Sequence, residues 1–186
     1  MTAVLWDIDG TLLYPAGPGD NLFLEVIREM GPVPDAPLPD RDGKTDAHIS
    51  LDYLAWAGLS ESLLPEFMER LNAVSAKFYR AHPRRVMPGI WAAVQLAAKL
   101  GATSVLLTGN TPVRAREKLT SSGLDLTAFD WNRSGFGAAE PDRNQLAREV
   151  AAHFPGEQLV VVGDTDRDAA AATAIEAAFV RVARPE

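Results

Sequence analysis

None of the 186 residues is cysteine. Disulfide staples, thiolate nucleophiles and cysteine-held metals are excluded, and the composition suits a reducing compartment, so a cytoplasmic location is expected. Long apolar runs are missing as well, and none approaches the roughly 20 residues that a membrane-spanning helix needs. The first residues lack the basic segment and unbroken apolar stretch of a secretory leader, because Asp7 interrupts the run too early. Histidine is scarce: His48, His82 and His153 are scattered without metal-ligand spacing. Positive charge is the minority sign, with 18 Lys and Arg against 25 Asp and Glu. The net charge of −7 argues against nucleic acid held by bulk electrostatics, and no membrane or nucleic-acid partner is expected. It leaves room for an anionic metabolite, since local cations can reverse the field inside one pocket.

What remains is an ordinary globular composition, 47% hydrophobic, on a chain long enough for one full core and an inserted subdomain. AVLWDI (Ala3 to Ile8) reads as a buried strand. A Pro/Gly loop, YPAGPGD, leads into a helix over NLFLEVIREMG that Gly31 stops. Four prolines in GPVPDAPLPDRDG demand a non-helical connection. A helix capped by Thr45 and closed by Gly58 follows, then another with Pro65 in its first turn and a stripe of Phe67, Met68, Leu71, Val74 and Phe78. Past Met87 the pattern changes to alternation. Helix GIWAAVQLAAKLG, strand TSVLLTGN, helices TPVRAREKLTSSG and PDRNQLAREVAAHF, strand QLVVVGD, helix TDRDAAAATAIEA and strand AFVRVA run in order. Such alternation predicts parallel strands with right-handed crossovers. The expected organisation is an α/β core over residues 1–14 and 88–186, with a helical insert at 15–87.

Three of these strands end in polar clusters, WDIDGT, LLTGN and VVGDTDRD, and ligands of open parallel sheets bind beyond the carboxyl ends of strands. Each cluster also has a plainer reading as a turn or helix cap. A calcium loop fails on spacing: Asp164, Asp166 and Asp168 alternate, but Ala169 occupies the glycine slot and Ile175 the closing glutamate slot.

Taken in order, DIDGTL, VLLTGN and VVGDTDRD resemble motifs I, II and IV of the haloacid dehalogenase-like hydrolase superfamily. The flanking MPGIWAAVQLAAKLGA and REKLTSSGL are similar to its phosphoglycolate-phosphatase-like branch, and GKTDAHI inside the insert adds a weaker match. The resemblance implies a Rossmann-like parallel sheet carrying an all-helical cap, and a magnesium-dependent phosphatase of a small phosphorylated metabolite. By it, Asp7 is the nucleophile that forms an aspartyl-phosphate. Asp9 is the acid that protonates the leaving oxygen and the base that then activates water, though a carboxylate capping its own turn stays open. Four converging acids call for a cation, and magnesium favours carboxylate oxygens and bridges to phosphate. The resemblance gives Asp7 and Asp164 as side-chain ligands, Asp9 as a ligand through its backbone carbonyl, and Asp168 as a ligand through water or an orienting group. Asp166 has no counterpart and reads as a solvated turn or cap residue.

The Thr108 hydroxyl and the Gly109 and Asn110 amides would hold the phosphoryl oxygens at a helix start, with a plain Thr or Asn cap as the alternative. Motif III departs from the pattern, because GAAEPDRNQL has no lysine before its proline. Arg143, 21 positions before Asp164, is the best substitute, against the reading of a surface arginine near Glu140 and Asp142. Lys118 reads as part of a helix face after motif II. In the insert, Lys44 would reach a substrate anion, or Thr45 would simply cap its helix. The cap would exclude water and select substrate. Dehalogenase chemistry is disfavoured by the presence of Asp9. A sugar phosphomutase using the same two aspartates is the alternative, and a lapsed phosphate-binding protein a second one. A monomer or homodimer is expected. The chain ends soon after FVRVARPE, where relatives carry a further segment, which leaves the outer edge of the sheet open.

Overall fold

The structure, a computed structural model, describes residues 1–15, 17 and 20–183. Residues 16, 18 and 19 of the expected Pro/Gly loop, and 184–186 at the end of FVRVARPE, lie outside the described residues. The predicted strands and helices are all present: β1 (Thr2–Trp6), α1 (Leu22–Met30), α2 (Asp46–Trp56), α3 (Leu64–Ala81), α4 (Ile90–Lys99), β2 (Thr103–Thr108), α5 (Pro112–Ser121), a short β3 (Gly135–Phe136), α6 (Arg143–Ala151), β4 (Gln158–Gly163), α7 (Asp166–Ala174) and β5 (Ala178–Arg181). Among the described residues β3 is the one added strand. Its two residues, Gly-Phe, carry no alternation to read, and Gly135 is there because a Cβ would run into Val150 of α6.

The sheet runs β3-β2-β1-β4-β5, every pair parallel. β1, at its centre, is covered on both faces, which is why it reads as a continuous apolar run. Alternation sends Ala3 and Leu5 to one face, where Leu146, Val150 and Ala171 of α6 and α7 pack on them. Val4 and Trp6 go to the other, against Ile90, Val94, Ala115 and Leu119 of α4 and α5. Trp6 Nε1 donates to Ser104 Oγ at 3.1 Å, satisfying the indole between β1 and β2.

Helices α1–α3 enter between β1 and α4 and share a separate apolar cluster, drawn from residues 22 to 79, in which Tyr53, Phe67 and Leu71 are fully buried. The expected caps form: the Thr45 hydroxyl accepts from His48 N, Pro65 lies in the first turn of α3, and Thr111 caps α5 ahead of Pro112. Two helices stop short of their expected ends. α6 stops at Ala151 because Phe154 turns in under the sheet, and α7 at Ala174 because the Glu176 turn (φ 54°) returns the chain into β5. Among the described residues, no helix is long and apolar enough to cross a membrane.

Candidate active site

Parallel strands open their carboxyl ends on one edge, and there the three polar clusters meet. Asp7 follows β1, its amide still bonded to Val162 O of β4 at 3.0 Å, so the nascent turn starts only after it. The turn closes through Leu13 N to Ile8 O at 2.9 Å and needs Gly10 at its apex. Gly10 has φ 86°, and any Cβ there would strike the Asp164 carboxylate, which lies directly over it. Thr11 Oγ1 donates to Asp164 Oδ1 at 3.4 Å. Asp168, at the third position of α7, is drawn in by a capping box in which Thr165 N and Oγ1 both donate to its Oδ2, at 3.0 and 2.7 Å. The helix-cap reading of VVGDTDRD therefore holds together with the convergence of its acids. Carboxylate oxygens of Asp7, Asp164 and Asp168 lie within 4.8 Å of one another, all three residues buried. Asp166 points to solvent and pairs with Arg181.

Arg143 answers this charge. It is buried, not the surface arginine of the alternative reading, and its Nη2 shares its two protons among Asp7 Oδ1 at 2.8 Å, Leu107 O at 3.1 Å and Asp168 Oδ1. Burial pushes the Asp7 carboxyl up to about 8; Arg143 opposes this, and the charges of Asp168 and Asp9 add to it. One guanidinium is thus shared among carboxylates whose charge it only partly balances. That donor set, buried oxygens with unbalanced negative charge, fits a hard divalent cation such as magnesium.

Asp9 turns away from the other three. Its Oδ2 accepts from Lys118 Nζ and, at 2.8 Å, from Asn110 Nδ2. Arg84 Nη2 stands 3.9 Å from Oδ1. Burial works against charge on Asp9, but the ammonium and the two hydrogen bonds prevail and hold its carboxyl below the usual carboxylate range. Lys118 is almost fully buried and also donates to Asn110 Oδ1 at 2.6 Å. The helix-face reading passed it over. The signal was in the spacing, since Arg114, Ala115, Lys118 and Leu119, at i, i+1, i+4 and i+5, share one helix face, all buried. Thr108 is fully buried and accepts from Asn110 N at 3.3 Å and Nδ2 at 2.8 Å. Asn110 is therefore occupied with Thr108, Asp9 and Lys118.

The segment GKTD lies across the β2 end. Asp46 N donates to Gly109 O at 2.6 Å, Ala47 N to Gly137 O at 3.0 Å, and Thr45 Oγ1 to Pro141 O at 3.2 Å. Asp46 also accepts from Thr111 N at 2.8 Å and pairs with the buried Arg114 at 3.2 Å. Lys44 Nζ is bonded to Asp52 at 2.9 Å while lining the cavity beneath, and Thr45 caps α2 as its plainer reading had it. A Cβ on Gly109 would run into the Lys44 carbonyl oxygen. Gly109→Ala is therefore expected to destabilise the fold by about 1–3 kcal/mol, the range for overpacking a close contact. Chemical denaturation checks this, and an unchanged midpoint would mean the strap does not press on that loop. Between the strap, α1–α3 and the strand ends is a cavity of about 480 Å³ reached by Asp7, Asp9, Lys118 and Arg143 and walled by Phe23 and Tyr79. Its size suits a small metabolite.

Comparison with known proteins agrees with this arrangement. A family model described as haloacid dehalogenase-like hydrolase matches residues 1–175. A Lactobacillus plantarum protein assigned as a phosphoglycolate phosphatase superposes with a TM-score of 0.65 at 16% identity, over 96% of this chain and 86% of the other. CbbY of Rhodobacter sphaeroides, solved with xylulose-1,5-bisphosphate, gives 0.68 at 19%, over 95% and 84%. An archaeal β-phosphoglucomutase of a hyperthermophilic Pyrococcus gives 0.60 at 20%, over 100% and 88%. No curated protein matches the sequence.

Proposed function

We infer function from one premise, that this chain belongs to the haloacid dehalogenase-like hydrolase family and is a hydrolase. We propose that it is a magnesium-dependent phosphatase of a small phosphorylated metabolite, working through an aspartyl-phosphate on Asp7. The observation that carries the proposal is the meeting of Asp7, Asp164 and Asp168 under the Arg143 guanidinium at the open end of a parallel sheet.

In this reading Asp7, Asp164 and Asp168 would hold the cation by side chains or through water, and the Asp9 carbonyl would complete the set. Bound magnesium would supply positive charge that favours the ionised form of Asp7 and offsets phosphoryl charge. Thr108 and the Gly109 amide would hold the phosphoryl oxygens, with the Asn110 amide, bonded to Thr108 Oγ1 in the resting site, turning to join them, and Arg143, in place of the motif III lysine, balances the charge on Asp7. The ionised Asp7 oxygen bonds to phosphorus as the bond to the leaving oxygen breaks. That oxygen keeps the electron pair and takes a proton from Asp9. A water oxygen then bonds to the same phosphorus, its proton passes to Asp9, and the bond to Asp7 breaks, returning the electron pair to the carboxylate. The sum is monoester plus water giving alcohol plus phosphate.

The resting Asp9 is ionised, the form its second task requires. For its first task it enters protonated, and a phosphoryl dianion placed beside it raises its proton affinity. Residues 15–87 are read as the cap, residues 1–14 and 88–186 as the core; the separate apolar cluster of α1–α3 supports that division. The Lys44 side chain, at the cavity wall, is the cap's contribution to the substrate's anionic end.

With 4-nitrophenyl phosphate the expected result is turnover in magnesium, abolished by EDTA and restored by added magnesium. Turnover indifferent to chelation would remove the metal from the mechanism. With phosphorylated sugars, release of inorganic phosphate is expected. A product that keeps its phosphate on another carbon would make the chain a mutase, and no product with any phosphate ester would leave a binding protein.

A further inference from the structure

Lys118 stands outside every role assigned above, yet it is the origin of the hydrogen-bond chain that runs through the site. An ammonium only donates, so each bond it makes fixes the direction of the next. Lys118 Nζ donates to Asp9 Oδ2 and to Asn110 Oδ1. With its oxygen held there, the Asn110 amide must present its NH₂ group on the other side, where it donates to Asp9 Oδ2 and to Thr108 Oγ1, both at 2.8 Å. Thr108 accepts again from Asn110 N at 3.3 Å. With two donors from Asn110 on its oxygen, the Thr108 hydroxyl keeps its own proton for a further acceptor. The second Asp9 oxygen, Oδ1, has no hydrogen-bond partner among the described residues. The carboxylate is therefore held by one edge, and Lys118 and Asn110 are what hold it.

The neighbours of Lys118 direct its ammonium to Asp9. It sits in the last part of α5, nearly fully buried, with the Tyr79 ring of α3 at 5.6 Å from Nζ. Arg84, the other cation near Asp9, is taken by Asp20 at 3.2 Å and by Tyr14 O. Burying an ammonium is costly unless it is paired, and among the described residues Asp9 is its one carboxylate within ion-pair distance.

We propose that Lys118 is a positioning residue for phosphoryl transfer: it fixes the Asp9 carboxylate and, by orienting Asn110, points the Thr108 hydroxyl at the phosphoryl group. The inference rests on the phosphatase reading and gives it a second cation, with Arg143 serving Asp7 and Lys118 serving Asp9. It covers both halves of the reaction, since Asp9 gives a proton in one and takes it back in the other.

The test compares wild type with Lys118→Met, Lys118→Arg and Asn110→Ala on two aryl phosphates whose leaving groups differ in acidity. Phenol needs a proton as it leaves, whereas 4-nitrophenolate leaves without one. For Lys118→Met, kcat on phenyl phosphate is expected to fall by about 10²-fold or more, the scale of a misplaced general acid. KM should change far less. On 4-nitrophenyl phosphate the first step is spared and the second is not, so a burst of nitrophenol should appear that wild type lacks. Lys118→Arg should recover part of the rate, and Asn110→Ala should show the same leaving-group pattern more weakly. Equal losses on both substrates without a burst, in a variant that still unfolds cooperatively, would reduce Lys118 to a structural residue and overturn the proposal. Unchanged kinetics would do the same. If Lys118→Met does not fold, the Arg and Asn110 variants decide by the same leaving-group pattern. A wild type that hydrolyses neither ester removes the phosphatase reading itself, a failure distinct from a wild type that is active and indifferent to Lys118.

Discussion

Asp7→Asn is expected to turn over no phosphoric monoester, with kcat lowered by about 10⁴-fold or more, as for removal of a nucleophile whose partners cannot replace it. An amide nitrogen or oxygen does not form the phosphoryl ester, and the neighbouring Asp9, Asp164 and Asp168 are held by other groups, Lys118, Thr11 and Thr165 respectively. The variant should fold. Asp7 is buried, and its proton is held up to about 8 against an ordinary 3.8, so a neutral side chain suits the site. The same shift sets a pH dependence. Between these two values the folded chain binds a proton that the unfolded chain has lost, so stability of the metal-free wild type falls as pH rises through that window. Asparagine cannot titrate, and its thermal midpoint should change less between about pH 5 and about pH 8 in chelating buffer. Retained turnover in Asp7→Asn would eliminate the aspartyl-phosphate route, and matching pH slopes would place the proton elsewhere.

Arg143→Ala should lose both stability and rate. The guanidinium joins Asp7, Asp168 and the Leu107 carbonyl at one point, and its removal leaves their buried oxygens facing one another without a donor or counter-charge. Breaking a buried pair in this way costs about 3–5 kcal/mol. Activity should fall by about 10²–10³-fold, as for a lost electrostatic donor in a preorganised site. Arg143→Lys keeps the charge but not the planar fork, and it should recover more of the stability than of the rate. Denaturant titration beside steady-state kinetics separates these effects. Full activity in Arg143→Ala would show that the motif III role belongs to another residue.

How far the sequence carried these residues varied with their range. Asp7, Thr108 and Asp164 were legible because each ends an apolar strand, and parallel strands bring such ends to one edge. All seven helices could be read from periodicity and from caps such as Thr45, Thr111 and Thr165. Position alone pointed to Arg143, and the structure adds its burial and its partners. Lys118 was not legible as part of the site, because its partner Asp9 is 109 residues away and a lysine on a helix is ordinarily solvated. The same holds for the docking of Asp46 on Gly109: a bond between two main-chain atoms leaves no trace in residue type beyond the glycine itself. β3 escaped for want of length.

Strand order also has a consequence in time. β1 leaves the ribosome well before either of its partners, for it pairs with residues near 103 on one side and near 158 on the other. It must therefore wait, unpaired, while the intervening chain is made, and the closure of such long loops is slow. The cluster of α1–α3 draws only on residues 22–79 and is free to condense meanwhile. Asp164 and Asp168 arrive with the last third of the chain. A product stalled between α5 and β4 thus carries Asp7, Asp9 and the turn from Thr108 to Asn110 but neither Asp164 nor Asp168, and the acidic cluster forms only once β4 and α7 have joined β1.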